Sequence, residues 1–494
     1  MQRKLPIFYS ALMLTGVNLL LRFVGTSFQV YLSGRIGAEG IGLLQLTMSV
    51  GVMAMVAGMG GIRTATMYLT AEELGRGRSK NVTWVLSGCL LYSILFSGSV
   101  GVLVYLLAPA IAIHWIGNPE IIGALRLYAV FLPVSCLCGV MTGYFTGANR
   151  IVTLAAVEIV EQLFSMVCTV LLLTLWAGHD PVRSCKSVIL GGCLGACMTL
   201  SALLFLRLQE RPRTGKRIPM AARLSQSAIP LAVADDLRTG ISTVENLMVP
   251  KRLALYPGTA SALADFGVVT GMVFPVLMFP AAILFGLTEL LIPELARCQA
   301  AASHRRIRYL VRKSLRVALL YGTLCGGILF LCANELGMRL YQNSDAGRYL
   351  QWFSLLTIML YLDAVTDAMI KGLGEQKASV RYNIITNIMD VCFLFILLPS
   401  HGIFGYFISF LVTHAINFIL SLRRLLMISK VSISPIRGVL CLLCTVAAIL
   451  AASILQPALL RGFGFAVVFI CLLFCTGVLS NADVKWLRRL IWKK

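Results

Sequence analysis

Long apolar stretches alternate with short polar segments along the whole chain. Several of the apolar stretches contain no charged residue, as in residues 86–108, 163–176, 439–455 and 463–479. About 20 apolar residues in a helix, at 1.5 Å per residue, span the hydrocarbon core of a bilayer. We count fourteen such stretches, centred near residues 20, 55, 95, 135, 165, 197, 237, 280, 325, 360, 390, 412, 446 and 471. The pattern therefore predicts an all-α, polytopic membrane protein of about 14 transmembrane helices.

The composition agrees with a membrane protein and argues against a soluble one. Of the 494 residues, 58% are hydrophobic and only 13% are charged, and the mean hydropathy is +0.85. Most of the 15 cysteines lie inside apolar stretches. The two-residue spacing of Cys441 and Cys444 is compatible with a metal or redox site, but no second cysteine pair or histidine cluster lies nearby in the sequence. We therefore expect these cysteines to pack in the membrane, and we expect no metal and no cofactor.

The beginning of the chain has some features of a secretory signal peptide. A short basic segment, which ends at Lys4, is followed by a long apolar run. The run continues to about Ser33 without a small-residue cleavage site. We therefore predict a retained first helix rather than a cleaved leader.

The excess of basic residues predicts the orientation of the helices. The chain has 43 Lys and Arg against 21 Asp and Glu, a net charge of +22. In so apolar a chain we interpret this excess as a topology signal and expect no nucleic-acid binding. Alternate polar segments contain 31 Lys and Arg, whereas the segments between them contain 8. Because basic residues concentrate on the cytoplasmic side, we predict a multi-pass cell-membrane protein with both termini in the cytoplasm.

Two parts of the chain show a weak internal repeat. Residues 143–162 read GYFTGANRIVTLAAVEIVEQ, and residues 368–387 read AMIKGLGEQKASVRYNIITN. An offset of 225 residues superposes Gly147 on Gly372 and Gln162 on Asn387. A similar offset of 217 aligns the first predicted helix with the seventh. Six helices therefore repeat in the same order and orientation.

The repeat predicts two six-helix lobes and two additional helices. Residues 1–222 form the first lobe with a basic cytoplasmic linker, and residues 223–430 form the second lobe. Residues 431–494 form helices 13 and 14 with a basic cytoplasmic tail. In transporters built from such repeats, the substrate site lies near the middle of the membrane.

Two arginines are predicted to lie deep in the membrane. Arg22 is about 22 Å from the cytoplasmic end of the first helix, and Arg238 is about 21 Å from that of the seventh. An arginine at this depth is costly unless an anion compensates its charge. The anion is either the pyrophosphate of a substrate, which guanidinium groups bind well, or a nearby carboxylate. The candidate carboxylates are Asp235 and Asp236 beside Arg238, and Glu158 and Glu161 near Arg22.

Other polar residues accompany these arginines. On the first helix they recur at steps of three or four and form one polar stripe, which contains Thr15, Asn18, Arg22, Thr26, Gln29 and Ser33. Arg63 follows two glycines in the second helix, and it either snorkels to the cytoplasmic surface or assists substrate entry. We predict that the substrate is bound by Arg22, Arg238, Arg63, Asn18 and Gln29.

Several acidic and amide side chains in the predicted helices are candidates for binding a coupling cation. They are Asp235, Asp236 and Glu245 in the seventh helix, Asp363 and Asp367 in the tenth, and Asn383, Asn387 and Asp390 in the eleventh. Hydrogen bonding between helices is the alternative interpretation of these residues. The sequence leaves both interpretations open.

Three segments resemble a known family. They are NLLLRFVGTSFQVYLSGRIGAEGIGLLQL (residues 18–46), the GYFTG and VEIVEQ segments of residues 143–162, and FPAAILFGLTELLIPELA (residues 279–296). Together they resemble the stage V sporulation protein B branch of the multidrug/oligosaccharidyl-lipid/polysaccharide (MOP) exporter superfamily, which includes polysaccharide and lipid II flippases. The resemblance implies a two-lobed, fourteen-helix flippase for polyprenyl-pyrophosphate-linked sugars. Lipid II flippases have a second arginine later in the first helix, where this chain has Thr26, Ser27 and Phe28.

We therefore expect a transporter rather than an enzyme. It would flip a polyprenyl-pyrophosphate-linked saccharide, a precursor of the cell envelope or spore cortex, outward by alternating access. Its partners would be this substrate, membrane lipids and envelope-synthesis enzymes. Two alternatives remain: a cation-coupled multidrug exporter of the same architecture, and a membrane protein of envelope assembly that transports nothing.

Overall fold

The fold is all-α throughout the part of the chain that the structure describes. The structure is a computed structural model that describes residues 7–76, 81–178, 180–209, 220–432 and 435–479. The predicted basic tail, most of the predicted linker and the first six residues lie outside these ranges. The α-helices are α1 (Ile7–Met59), α2 (Ile62–Gly75), α3 (Val82–Ala110), α4 (Ile122–Gly147), α5 (Ile151–Leu172), α6 (Pro181–Leu208), α7 (Met220–Leu253), α8 (Ala262–Val268), α9 (Phe274–Ala300), α10 (His304–Tyr341), α11 (Ser344–Ser354), α12 (Leu356–Gly372), α13 (Gln376–Ser429), α14 (Pro435–Ala452) and α15 (Ala458–Cys475).

The predicted helix positions agree with these helices. Each of the fourteen predicted centres lies in a helix. Among the described residues, nine helical segments are long and apolar enough to cross a membrane, or ten if the bent pair α11 and α12 counts as one span. The chain is therefore a multi-pass membrane protein, and its all-α fold class is confirmed. The number fourteen stays a prediction.

The two longest helices each consist of two segments. α1 has 53 residues and α13 has 54, and a straight helix of that length would measure about 80 Å, more than twice the hydrocarbon thickness. Each contains one glycine with non-helical backbone angles, Gly37 (φ 79°, ψ 171°) in α1 and Gly402 (φ 58°, ψ −140°) in α13. Only glycine adopts such angles readily. The chain therefore changes direction at these two residues.

The helices pack into two compact units, residues 1–267 and 268–494. This division differs from the predicted lobes because α7 lies in the first unit, where it packs along α1. Thr243 Oγ1 donates to the carbonyl oxygen of Ser49 at 3.3 Å, and Asn246 Nδ2 donates to Ser49 Oγ at 3.1 Å. The lobes derived from the repeat, with boundaries at residues 222 and 430, stay a prediction.

One close helix contact occurs in both units and agrees with the repeat. In the first unit, a Cβ atom on Gly147 of α4 would lie 2.5 Å from the carbonyl oxygen of Met67 in α2. In the second unit, a Cβ atom on Gly372 of α12 would lie 2.9 Å from the carbonyl oxygen of Ile292 in α9. Both partners of the contact are related by the same offset of 225 residues. Small residues allow two membrane helices to approach this closely.

The last two helices pack against α10 in the second unit. Phe465 of α15 is fully buried and occupies the space beside Gly327, where a Cβ atom would lie 2.1 Å from its ring. Cys441 and Cys444 of α14 belong to the same apolar cluster. These two cysteines thus contribute to helix packing, as their position in an apolar stretch indicated.

Candidate functional site

Arg22 lies in the middle of the first segment of α1. It is fifteen residues after Ile7, where α1 begins, and fifteen before the break at Gly37. Its side chain is half-buried. The apolar residues Leu20 and Phe23 on either side of it are 54% and 57% exposed. The first segment therefore directs an apolar face outward and the face of Arg22 toward the protein.

The rest of the polar stripe follows the same face. Thr26 and Gln29 are half-buried, and Ser33 is buried. Ser33 Oγ donates to the carbonyl oxygen of Gln29 at 2.8 Å. The side chains of Thr15 and Asn18 lie outside the described residues. The predicted amphipathic character of the first helix thus agrees with the burial of its described part.

A glutamine of α5 fixes the position of α1 beside Arg22. Gln162 Nε2 donates to the carbonyl oxygen of Leu21 at 3.0 Å. One turn further along α1, a Cβ atom on Gly25 would lie 3.2 Å from the same nitrogen. Gln162 entered the sequence analysis only through the repeat, and its contact with α1 depends on the tertiary packing.

Arg63 lies near the beginning of α2, and its side chain is exposed. Glu158 of α5 is close enough for its charge to interact with that of Arg63. Glu161, one turn further, is close to Glu158. The structure thus places Glu158, expected as a partner of Arg22, within the electrostatic reach of Arg63.

The polar residues of α7 point in several directions. Asp235 and Arg238 are exposed, Asp236 is half-buried, and Glu245 is buried. Among the described residues, Asp236 Oδ1 is buried without a hydrogen-bond partner. Arg238 and Arg22 lie in the same compact unit.

The second unit contains a polar cluster formed by α12 and α13, which we call the α12–α13 cluster. It consists of Asp363, Asn383, His414 and Asn417. Nδ2 of Asn417 lies 2.9 Å and 3.0 Å from the two carboxylate oxygens of Asp363, and 3.1 Å from Oδ1 of Asn383. Nδ1 of His414 lies 3.6 Å from Asp363 Oδ2, too far for a hydrogen bond. Oδ1 of Asn417 is buried and has no hydrogen-bond partner in the described part of the chain.

Two residues of the cluster were predicted from the sequence and two were not. Asp363 and Asn383 were candidate cation ligands, whereas His414 and Asn417 were not considered. The signal was present, since both are polar residues three positions apart in an apolar stretch. Their neighbours on α12 are, however, more than 50 positions away in the sequence, so only the fold brings them together.

The other proposed cation ligands of this unit have different surroundings. Asp390 is buried, and its Oδ1 accepts hydrogen bonds from Ser409 at 2.5 Å and Thr413 at 3.3 Å. Asp367 accepts a hydrogen bond from a serine of α13, Ser379, and pairs with Lys371 at 2.5 Å. These contacts are of the kind that the alternative interpretation, hydrogen bonding between helices, predicts. Asn387 is half-buried, and no contact of its side chain is described.

No set of three or more His, Cys, Asp or Glu side chains is arranged to bind a metal ion within the described ranges. The candidate site residues that the structure describes carry arginine, carboxylate and amide groups on membrane helices. These groups can bind anions, cations and hydroxyl groups.

Comparisons with known proteins agree with this architecture. The chain matches no protein-family model. It is 22% identical over 416 residues to stage V sporulation protein B of Bacillus subtilis (strain 168), which covers 80% of this chain and 78% of that protein. The inward closed conformation of the lipid II flippase MurJ superposes with a TM-score of 0.68 at 12% identity, covering 93% of this chain and 98% of that chain. An inward-facing multidrug resistance MATE family transporter of the MOP superfamily gives a TM-score of 0.67 at 14% identity, covering 85% of this chain and 100% of that chain.

These similarities confirm the resemblance predicted from the sequence. The chain is similar to stage V sporulation protein B, and it has the fold of the membrane transporters of the MOP superfamily. The two solved structures are a flippase and a transporter, in agreement with the prediction that the chain is not an enzyme.

Proposed function

We propose that this protein flips an anionic, lipid-linked saccharide across the cell membrane by alternating access. The observation that supports this most directly is the position of Arg22, half-buried in the middle of a membrane helix on its polar face. A guanidinium group at that depth binds a pyrophosphate through paired, charge-assisted hydrogen bonds. The similarity to stage V sporulation protein B and the fold shared with a lipid II flippase support a substrate of this class.

The structure describes the side chains of three of the four other predicted substrate ligands. Gln29 follows Arg22 on the same half-buried face and is suited to bind sugar hydroxyl groups. Arg238 lies on α7, which packs along α1, and it is proposed as a second ligand of the head group. Arg63 attracts Glu158, so its proposed role is limited to substrate entry. Asn18 stays a proposal from the sequence.

The experiment compares flipping by Arg22 variants in proteoliposomes that contain a fluorescent polyprenyl-pyrophosphate saccharide. We expect Arg22→Ala to reduce the rate by about 10- to 100-fold, because a charge-assisted hydrogen bond contributes about 1.5–3 kcal/mol. Arg22→Lys should restore part of the activity, since an ammonium group lacks the bidentate fork. The control is Arg126→Ala, because Arg126 is an exposed arginine of the same unit that stacks on Tyr105.

The outcomes separate the proposal from its alternatives. Normal flipping by Arg22→Ala at equal protein abundance would refute the anion site. Cationic dyes that bind tightly, and more tightly after Arg22 is removed, would identify a multidrug exporter instead. An assembly protein that transports nothing would show no flipping in the wild type.

We also propose that the α12–α13 cluster binds the cation that drives transport. If the amide of Asn417 turns over, its Oδ1 joins the oxygens of Asp363 and Asn383, and oxygen atoms are the usual ligands of hard cations. The buried Oδ1, which lacks a partner among the described residues, supports this rearrangement. Asp235, Asp236, Glu245, Asp367, Asp390 and Asn387 remain secondary candidates.

The test is the dependence of flipping on a sodium or proton gradient. We expect Asp363→Asn to remove the dependence while the protein stays folded, because the amide preserves the shape but not the charge. Asp345→Asn is the control, since Asp345 is a half-exposed residue of the same unit. A gradient response that Asp363→Asn leaves unchanged would place the coupling site elsewhere.

The proposal extends to the surroundings of the protein. The charge distribution predicts cytoplasmic termini, and a role in envelope synthesis would bring the protein close to enzymes that supply its lipid-linked substrate. Both statements stay proposals, and the topology is tested below.

A further inference from the structure

The helix α10 is much longer than its membrane-spanning part. It has 38 residues, about 57 Å at 1.5 Å per residue. Residues 317–334 contain no charged residue and measure about 27 Å, close to the hydrocarbon thickness. The thirteen residues before them, 304–316, continue the same helix for about 20 Å beyond the apolar stretch. We call this segment the α10 extension.

The α10 extension is strongly basic. Its thirteen residues contain six Lys and Arg and no acidic residue. Arg305, Arg308 and Arg312 are exposed, and their spacing of three and four places them on one face of the helix. Tyr309, on the same face, is 52% exposed. The exposed face is therefore a stripe of arginines with one aromatic ring.

The opposite face holds the extension against the rest of the second unit. Ile307 and Val311 are buried, and they belong to one apolar cluster with Leu291 and Leu295 of α9. Arg306, on the flank, pairs with Glu294 of α9 at 2.6 Å. The orientation of the arginine stripe is thus fixed by the packing of its own helix.

We propose that the arginine stripe of the α10 extension binds the head groups of anionic phospholipids. The stripe is continuous with a membrane-spanning helix, so it lies at the level where phosphate groups are concentrated. Arginine forks match phosphate oxygens, and tyrosine is typical of the interface between the membrane and water. A soluble acidic partner would match the charge as well, but it would not require the stripe to start at the edge of the apolar stretch.

The geometry ranks the three arginines. Arg312 lies one turn beyond Arg316, where the apolar stretch ends, and therefore reaches the head-group layer directly. Arg308 is one turn further out, and Arg305 is nearly a turn beyond it. Because the attraction to an anionic surface falls off within a Debye length of about 8–10 Å, Arg312 should contribute most and Arg305 least.

The experiment measures bound lipids on the purified full-length protein by native mass spectrometry. The protein is incubated with an equimolar mixture of phosphatidylglycerol and phosphatidylcholine. The head group of phosphatidylglycerol carries a net negative charge, opposite to that of the stripe, whereas the head group of phosphatidylcholine has no net charge. We expect the wild type to retain phosphatidylglycerol in preference. The triple variant Arg305→Gln/Arg308→Gln/Arg312→Gln should show a preference at least tenfold smaller. Each basic residue near the surface contributes about fivefold to the affinity for anionic lipid.

A second triple variant controls for net charge. Arg35→Gln/Arg183→Gln/Arg339→Gln removes an equal number of positive charges, three, from exposed positions outside the stripe. This variant should keep the preference for phosphatidylglycerol. Among the single variants, Arg312→Gln should show the largest loss. An equal loss in the control variant, or an undiminished preference without the stripe arginines, would overturn the proposal and would make an acidic protein the better partner for this face. Flipping activity does not enter the measurement, so its result is independent of the proposed transport function.

Discussion

At the scale of single residues, the close contacts of glycine show where helices cannot separate. Gly147 ends α4 with its Cα next to the carbonyl oxygen of Met67, and the same contact recurs at Gly372. Both glycines belong to the segments on which the repeat was recognised. Their role is therefore helix packing, which explains why they can be superposed even though most of the surrounding residues differ.

Gly147→Ala should destabilise the protein by about 1–3 kcal/mol, because its new Cβ atom would lie 2.5 Å from the Met67 oxygen and 3.0 Å from Thr70 Cβ. The measurement is thermal unfolding in detergent. Gly98→Ala in α3 is the matched control, since a Cβ atom there meets nothing within 4 Å. Equal melting temperatures for the two variants would contradict the proposed packing role.

Site residues whose partners are distant in the sequence were the hardest to predict. Arg22 was identified from the sequence because a lone charge in an apolar stretch is conspicuous wherever its partners lie. His414 and Asn417 were missed because weakly polar side chains are common in membrane helices, and their significance depends on Asp363, which α12 provides. The polar stripe of one helix can be recognised from the sequence of that helix. A cluster formed by two helices can be recognised only when their packing is known.

At the scale of elements, the apolar stretches predicted the helices well and their breaks less well. The centres near residues 20 and 55 lie on either side of Gly37, and those near 390 and 412 lie on either side of Gly402. Each break involves a single glycine, whereas the pattern predicted a short polar segment between the two helices. The position of α7 beside α1 was not predicted either, because an offset between repeats carries no information about which surfaces are in contact.

The attachment of α15 to α10 depends on an ion pair that is largely shielded from water. Arg461 Nη2 lies 2.6 Å from Glu335 Oε1, and the two side chains are 24% and 30% exposed. We expect Arg461→Leu to cost about 1–3 kcal/mol, because Glu335 would keep its charge without its partner. Arg348→Leu is the control, since its pair with Asp345 is about half exposed and should contribute less than about 1 kcal/mol.

Chemical unfolding of both variants, and of the double variant Arg461→Leu/Glu335→Gln, measures these contributions. The double variant should recover part of the loss, because neutralising Glu335 removes the uncompensated charge. If Arg461→Leu and Arg348→Leu were equally mild, the shielded pair would not attach α15.

At the scale of the whole molecule, two independent regularities describe the chain. The repeat relates one helix contact of the first unit, at Gly147, to one of the second, at Gly372, by an offset of 225 residues. The contacts divide the chain at residue 267. The two descriptions differ because α7, the first helix of the predicted second repeat, packs in the first unit.

Topology is the whole-molecule property that the charge distribution predicts most sharply. With 31 Lys and Arg in one set of segments and 8 in the other, inversion of the chain would place most of the basic residues outside, against the positive-inside rule. Single-cysteine reporters, introduced after the native cysteines are removed, test this with a membrane-impermeant thiol reagent on intact cells. Thr214→Cys in the linker should react only after the cells are opened. Glu120→Cys, in the exposed connection between α3 and α4, should react in intact cells. The reverse pattern would refute the predicted orientation, and labelling of both reporters in intact cells would contradict the predicted parity of the spans between them.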